Sequence, residues 1–249
     1  MTNQVVFSAA HSSGQFSDTE AQQRSDAHRL CRRMKERKWE WLTGTEGGSL
    51  SVLPPAFRGI DQEFGLRFRK GKTGDVWLMH RLDLFSGEVE QEWYKVLDGV
   101  AGQFADRGVF RVTGHCPMLD SDLTILVSHF LTDGDPSSSV HPHLEGNRKI
   151  AHKIGELGKL YGAHRDLVFY GGDQNIQDRR TDTFLGAPFT SLADELKRWQ
   201  NTGHGAIDVM ASYNADHRVQ GVTWMVFDDS EFRLSSDHWL CEGSWAVRV

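Results

Sequence analysis

Residues 167–175 read Leu-Val-Phe-Tyr-Gly-Gly-Asp-Gln-Asn, an apolar run that ends in two glycines followed by polar side chains. A short uninterrupted apolar run is typical of a strand buried on both faces. The two glycines let the backbone turn and approach a ligand closely. If the chain stays extended, Asp173 and Asn175 face the same side. The same residues are also common in simple turns, so the meaning of this strand end depends on the rest of the chain.

Helical and strand patterns alternate on both sides of this strand. The patterns predict helices, at 18–38, 88–104, 144–161 and 191–199. Short apolar or β-branched runs predict strands, at 4–9, 39–45, 76–84, 109–113, 123–130, 206–212, 222–227, 231–234 and 239–247. Strands outnumber helices and the helices fall between them, which predicts an α+β fold of mixed β-sheets covered by helices. Because no repeat, low-complexity tract or linker divides the chain, we expect one domain over residues 1–249.

Composition narrows the class of protein. The net charge of -6 argues against a surface that is basic everywhere. Basic residues still cluster at 32–38, 67–72 and 148–153, where a solvated face is the more common meaning. With no apolar window near the roughly 18 residues of a membrane span and no signal-peptide pattern, we expect a cytoplasmic protein with no membrane partner. The 3 cysteines are far apart, which predicts buried free thiols.

Three familiar motifs are incomplete in this sequence. Gly71-Lys72-Thr73 ends like a phosphate-binding loop, but Leu66 stands where the first glycine is required, so a hairpin tip is the better interpretation. His141 and His143 have the spacing of a metal-binding pair, but the continuation that such a site needs is missing. No G-x-S-x-G sequence offers a serine nucleophile.

A second polar group stands directly before the last predicted strand, where the sequence is Ser-Ser-Asp-His over residues 235–238. Adjacent residues of an extended segment point in opposite directions. Asp237 can therefore hold a metal while His238 faces a substrate. Alone, the pair is equally compatible with a turn aspartate beside a surface histidine.

Together, GGDQN and SSDHW resemble the GDxN and SDH signatures of the endonuclease/exonuclease/phosphatase superfamily, which includes deoxyribonuclease-I-like and exonuclease-III-like enzymes. Three further strand ends match in the same order along the chain. Residues 41–46 resemble the strand that ends in a metal-binding glutamate, here Glu46. Residues 126–130 resemble the strand whose histidine, here His129, touches the scissile phosphate. Residues 206–209 resemble the element whose aspartate, here Asp208, pairs with the histidine of the SDH signature.

The resemblance implies a four-layer sandwich, in which two packed mixed β-sheets are flanked by α-helices. It also implies that Glu46 and Asp237 bind a metal ion. Hard oxygen ligands suit Mg²⁺ or Mn²⁺, and an ion of this kind polarises a phosphate and stabilises the leaving group.

The remaining matched residues acquire catalytic roles from the same resemblance. Asp173 would orient or deprotonate the attacking water, and Asn175 would bind a phosphate oxygen. His238, held by Asp208, would act as a general base or as a charged phosphate contact. His129 would be a second phosphate contact.

The first strand departs from the pattern of the superfamily. A metal-binding asparagine normally follows that strand in a T-x-N setting, whereas this chain offers only Ala10 or His11 at that place. His11 has no motif support of its own and is expected to be an ordinary surface or core residue. The departure puts metal affinity, metal preference and activity in question.

The sequence therefore predicts a Mg²⁺-dependent phosphodiester hydrolase, with a nuclease acting on DNA or RNA favoured and nucleic acid as the expected partner. One alternative is a phosphomonoesterase or small-molecule phosphodiesterase of the same fold, because fold does not fix substrate. A second alternative is a chain that kept the fold and lost the chemistry, serving as a nucleic-acid-binding or structural protein.

Overall fold

The computed structural model describes residues 4–13, 19–45, 63–69, 76–101, 105–131, 143–163, 166–175, 185, 188–198, 208–227 and 238–249. Strands and helices follow one another along these ranges as β1 (Gln4–Ser12), α1 (Glu20–Arg37), β2 (Trp41–Thr45), β3 (Phe64–Phe68), β4 (Val76–Arg81), β5 (Ser86–Leu97), β6 (Arg107–Cys116), β7 (Ser121–His129), α2 (Leu144–Gly162), β8 (Leu167–Asp173), β9 (Phe189–Ser191), α3 (Leu192–Glu195), β10 (Asp208–Tyr213), β11 (Val219–Phe227) and β12 (Leu240–Arg248).

The strands form two six-stranded mixed sheets. The first sheet has the order β11-β12-β1-β2-β4-β3, and the second has the order β5-β6-β7-β8-β10-β9. Each sheet contains one parallel pair, β1 with β2 and β7 with β8. Parallel neighbours need a crossover connection, and the described part of each crossover contains a long helix, α1 in the first sheet and α2 in the second.

Three apolar clusters hold the layers together. The central cluster lies between the sheets and contains four packed rings, Phe7, Trp41, Phe169 and Trp245, whose centroids are 4.8 to 6.2 Å apart. A second cluster joins α1 to the first sheet, and a third joins α2 to the second sheet. The helices therefore cover the outer faces, and the predicted four-layer α+β sandwich is confirmed.

The predicted helix at 88–104 is wrong, because residues Ser86–Leu97 form the edge strand β5. Val89, Trp93 and Val96 stand at helical spacing, which imitates an amphipathic helix. Val89 and Trp93 instead pack against the central cluster, while Val96 packs against the cluster under α2. An edge strand that contacts two apolar clusters does not show a regular alternation of apolar and polar residues. Its β-branched and aromatic residues still suit a strand better than a helix.

Other predictions had mixed outcomes. The helix predicted at 191–199 is reduced to the single turn of α3, and the three cysteines are buried free thiols as predicted. Gly71-Lys72-Thr73 and the strand predicted at 231–234 lie outside the described residues. Within the part of the chain that the structure describes, no helix is long and apolar enough to cross a membrane.

The topology brings several strand ends to one edge of the sandwich. β1 and β2 run parallel and both end there, and so do β7 and β8 in the second sheet. β10 begins at this edge because Asp208 pairs with Asp173, and β12 begins there because Cys241 pairs with His11. Polar residues at these strand ends are thereby collected from both sheets.

Candidate active site

A buried Asp-His pair occupies the centre of this edge. The Nδ1 atom of His238 donates a hydrogen bond to Asp208 Oδ2 at 2.9 Å, because a carboxylate at this distance requires the proton on the ring nitrogen. Both side chains are buried, with relative exposures of 7% for His238 and 3% for Asp208. The bond fixes the tautomer of His238 and leaves Nε2 as the ring nitrogen that is not committed to Asp208.

Asp173 lies directly beside this pair. Asp173 and Asp208 are opposite each other in the antiparallel ladder of β8 and β10. One ligand atom from each of Asp173, Asp208 and His238 lies within 4.8 Å of the others, and all three residues are buried. Two buried carboxylates this close repel each other unless positive charge compensates. The cluster is therefore a place where a cation or a protonated imidazole is stabilised.

The end of β8 differs from the extended geometry expected from the sequence. The strand runs through both glycines to Asp173, and the turn comes after it. Asn175 has a φ of 49°, a left-handed conformation that asparagine tolerates better than most residues. Asp173 Oδ1 accepts a hydrogen bond from the Asn175 backbone at 2.8 Å. Asp173 and Asn175 are thus held together by a turn and not by strand alternation.

Asn175 is also fastened to the end of β7. Its Nδ2 atom donates to the carbonyl oxygen of Phe130 at 3.1 Å, and the Phe130 amide donates to the carbonyl oxygen of Asp173 at 2.9 Å. These bonds lock together the ends of the two parallel strands that carry His129 and Asp173. His129 Nε2 then lies 3.6 Å from Asp173 Oδ2.

The glycines of β8 allow close packing rather than a turn. A Cβ atom on Gly171 would overlap the side chain of Thr43 in the first sheet, and one on Gly172 would overlap the carbonyl oxygen of Ser128. The strand that carries Asp173 can therefore approach β7 and the first sheet this closely only because neither position has a side chain.

The electrostatics of the two sides of the site differ. Burial alone would raise the pKa of Asp208, but the close approach of His11, the hydrogen bond from His238 and the charges of these imidazoles outweigh it and lower the pKa below its usual value. Burial, with the nearby Arg107 guanidinium and His238, holds the pKa of His129 well below its usual value. Asp208 is therefore ionised near neutral pH, and His129 is a neutral imidazole.

The structure brings together all five sequence-predicted catalytic residues, which are His129, Asp173, Asn175, Asp208 and His238. The two predicted metal ligands, Glu46 and Asp237, lie outside the described residues. Their chain neighbours, Thr45 at the end of β2 and His238, are at this edge. His141 also lies outside the described residues, and His143 is the N-cap residue of α2.

Sequence reasoning missed two residues of this edge. His11 is fully buried, and its Nε2 atom lies 3.5 Å from Asp208 Oδ1. The sequence predicts an ordinary residue here, although the position of His11 at the place of the missing asparagine is a usable signal. Arg107, at the start of β6, is close enough to His129 to lower its pKa, and no motif marked it.

The arrangement is similar to solved structures over nearly the whole chain. The endonuclease/exonuclease/phosphatase from Bacteroides vulgatus matches with a TM-score of 0.73 and 16% identity, covering 98% of this chain and 100% of that one. TDP2 of D. rerio, complexed with a single strand DNA product, matches with a TM-score of 0.70 and 15% identity, covering 96% and 98%. This chain has the fold of the endonuclease/exonuclease/phosphatase superfamily.

The same fold occurs in a third solved structure, which is named as a sugar phosphatase. The Bacteroides thetaiotaomicron mannosyl-6-phosphatase Bt3783 matches with a TM-score of 0.66 and 13% identity, covering 96% of this chain and 99% of that one. No protein-family model and no curated protein sequence matches the chain. At these identities the likeness establishes the fold and not the reaction.

Proposed function

We propose that the protein is a Mg²⁺-dependent phosphodiester hydrolase, a nuclease acting on DNA or RNA. One observation carries the proposal, namely that the buried pair of Asp208 and His238 lies beside the Asp173 carboxylate at the strand-end edge of a superfamily fold. Hydrolysis of a phosphate ester requires a general base, a carboxylate that orients the water, and negatively charged groups that can bind a metal ion. As further parts of the proposal, the protein is cytoplasmic and residues 1–249 form one domain.

His238 and Asp173 divide the work on the attacking water. His238 donates through Nδ1 to Asp208, so its Nε2 atom accepts a proton from the water or contacts a phosphate oxygen. Asp173 orients the water, because one of its oxygens is already held by the Asn175 backbone and the side chain cannot rotate freely. Asp208 keeps the imidazole in one tautomer and stabilises its charged form.

His129 and Asn175 contact the phosphate as neutral groups in this proposal. Since its pKa is well below the usual value, His129 offers a hydrogen bond and not a full positive charge. Asn175 is held at the end of β7 by its hydrogen bond to the carbonyl oxygen of Phe130, the residue that follows His129. Neutral hydrogen-bond donors of this kind stabilise the negative charge that develops on the phosphate oxygens and add no charge of their own.

The residues at the edge fit a divalent cation. Asp173 and Asp208 bring two buried carboxylates together, and hard oxygen donors are the ligands that Mg²⁺ and Mn²⁺ prefer. Glu46, which follows β2, and Asp237, which precedes His238, would hold the ion. When bound, it supplies charge neutralisation at the phosphate and at the leaving oxygen.

A basic residue at the same edge, Arg107, favours a nucleic acid substrate because it lies near His129. Arg69, which follows β3, is instead buried, paired with Asp106 and stacked over Trp93, with 4.2 Å from its guanidinium carbon to the ring centroid. Guanidinium groups beside a cleft supply the local charge that binds a phosphate backbone. The neighbour TDP2 carries a single-strand DNA product, which supports the same substrate class here.

The cluster at 32–38 does not contribute to this edge. It lies in the last turns of α1, which leads into the beginning of β2 and therefore to the opposite end of the first sheet. Lys35 is paired with Glu63, and Arg37 forms a bidentate ion pair with Glu242. These residues form a solvated and paired face, as the sequence interpretation favoured.

A phosphomonoesterase is the second candidate, and the likeness to mannosyl-6-phosphatase Bt3783 favours it. The two activities use the same water and the same metal, so they differ only in what the cleft accepts beside the phosphate. A protein that kept the fold without catalysis is the third candidate, and the absence of asparagine at Ala10 or His11 favours that one.

One assay separates the three candidates. Wild-type protein and Asp173→Asn are incubated with plasmid DNA, a single-stranded oligonucleotide, an RNA oligonucleotide and a sugar phosphate, each with Mg²⁺, with Mn²⁺ and with EDTA. The proposal expects metal-dependent cleavage of a nucleic acid that Asp173→Asn lacks. Phosphate release from the sugar phosphate alone would favour the phosphomonoesterase, and inert wild type on all four substrates would favour the non-catalytic protein.

A further inference from the structure

We propose that His11 is a positioning residue, which holds the second oxygen of Asp208 and thereby fixes the direction in which His238 presents Nε2. The inference deepens the proposed function and rests on it for its catalytic consequence. Its structural content, the control of His238 by His11 through Asp208, is testable without any activity.

Asp208 has two oxygens with different surroundings. Oδ2 accepts the hydrogen bond from His238. Oδ1 is buried and makes no hydrogen bond of ordinary geometry to the described residues, and His11 Nε2 is 3.5 Å away. A buried carboxylate oxygen without a donor costs free energy. His11 is thus the group that keeps Oδ1 in place and prevents the carboxylate from turning away from His238.

His11 is itself held rigidly by the first sheet. It pairs with Thr43 in the parallel ladder of β1 and β2, and its Nδ1 atom shares a hydrogen bond with Thr43 Oγ1 at 2.8 Å. Its Nε2 atom lies 3.1 Å from Ser13 Oγ, which in turn contacts Thr45. The imidazole cannot rotate without breaking these contacts.

The resulting chain of side chains crosses from one sheet to the other. His11 belongs to β1 in the first sheet, whereas Asp208 belongs to β10 in the second. The carboxylate that orients His238 is therefore held from the opposite layer of the sandwich. A buried histidine with a purely packing role has no need for a carboxylate partner on one ring nitrogen and a hydroxyl on the other.

Two substitutions distinguish positioning from packing. The amide nitrogen of glutamine reaches about as far from the backbone as Nε2 of histidine, whereas that of asparagine reaches only as far as Nδ1. His11→Gln keeps a donor for Asp208, and His11→Asn keeps only the contact with Thr43. His80 supplies the matched control as His80→Gln, because it is a buried histidine of β4 that pairs with Trp41, at the end of β2 away from the site.

Steady-state kinetics with the metal-loaded protein give the first readout. We expect His11→Asn to lower kcat by roughly 10 to 100-fold with little change in KM, the usual effect of losing a residue that orients a catalytic one. His11→Gln should retain most of the activity, and His80→Gln should match the wild type. In an Asp208→Asn background, His11→Asn should cost almost nothing more, since both act through one carboxylate. An asparagine variant as active as the wild type, at an unchanged Mg²⁺ requirement, would overturn the proposal, because an asparagine that acted as the metal ligand of the superfamily pattern would lower that requirement.

Nitrogen NMR of histidine-labelled protein gives a readout that needs no substrate. At a pH where the ring is neutral, His238 should be the Nδ1–H tautomer in the wild type and in His11→Gln. His11→Asn should show a mixture of tautomers while its thermal unfolding stays cooperative. Unchanged His238 signals in His11→Asn would refute positioning by His11. An inert wild type would instead refute the proposed hydrolase and leave this NMR test valid.

Discussion

The carboxylates of Asp173 and Asp208 face each other across two antiparallel strands, and both are buried, with exposures of 1% and 3%. Each has imidazole neighbours, His129 beside Asp173 and both His11 and His238 beside Asp208. Two like charges in such a place stabilise the fold only when their partners compensate them. The site is consequently one electrostatic unit, and changing any member alters the others.

Loss of Asp173 or His238 should remove activity and leave the fold intact. We expect Asp173→Asn and His238→Ala each to lose roughly 10² to 10⁴ of the hydrolytic rate, the usual scale for a positioned acid or base. Because both act on the same water and phosphate, the double variant should lose much less than the product of the single losses. Asp83→Asn, a change of an exposed carboxylate, is the control. Full activity in either single variant would show that the site is wrongly assigned.

Glu46 and Asp237 should control the metal requirement. We expect Glu46→Gln and Asp237→Asn each to raise the Mg²⁺ concentration needed for half-maximal activity by about 10-fold or more, because each removes a charged oxygen ligand. Glu63→Gln removes a carboxylate from an exposed ion pair with Lys35 and should leave the Mg²⁺ dependence unchanged. The measurement is initial rate against Mg²⁺ concentration, and an unshifted curve for both variants would exclude them as ligands.

His129 should make stability depend on pH. Because its pKa is lowered in the folded protein, the unfolded chain takes up a proton at higher pH than the folded one does. The contribution of neutral His129 to the free energy of unfolding is therefore complete above the unfolded histidine pKa of about 6.5. It is lost as the pH falls towards the folded pKa, by up to about 1.4 kcal/mol per pH unit. Urea unfolding of wild type and His129→Gln between pH 5 and 8 should show this slope in the wild type, with the part due to His129 missing from the variant. Parallel curves would contradict the assignment.

Much of the fold was predictable because its buried strands and helices carry strong patterns. The buried strand predicted from the apolar run before Asp173 forms as β8, and the helix predicted at 18–38 forms as α1. The strand β5 was not predictable, because Val89, Trp93 and Val96 imitate helical spacing while contacting two different layers.

The site was predictable where a short motif marks it and not where only packing does. Asp173 and His238 stand in recognisable signatures. His11 acquires its role from Asp208 in the other sheet, and a contact between sheets leaves no local pattern in either segment. The same holds for Arg107, whose effect on His129 depends on strand order.

Gly172 should be required for packing. In Gly172→Ala the new methyl group would overlap the Ser128 carbonyl oxygen and the Tyr170 hydroxyl, and we expect a loss of about 1 to 3 kcal/mol in the free energy of unfolding. Gly155→Ala is the matched comparison, because Gly155 lies within α2 and its methyl group would meet only the Leu185 carbonyl oxygen, at an ordinary contact distance of 3.5 Å. That change should stabilise by up to about 1 kcal/mol. Urea unfolding of both variants checks the difference, and equal stability would contradict the packing role.

The pairing of β12 with β1 links the formation of the site to the closure of the first sheet. β12 lies between β11 and β1, with Gln4 opposite Arg248, so the first sheet closes only when strands far apart in sequence meet. Contacts of such long range form slowly. His238 lies just before β12, with Trp239 between them, and reaches Asp208 only in the closed sheet. A partly folded chain thus has no assembled Asp-His pair, and appearance of activity during refolding should report closure of the first sheet, later than signals from the hairpin of β6 and β7.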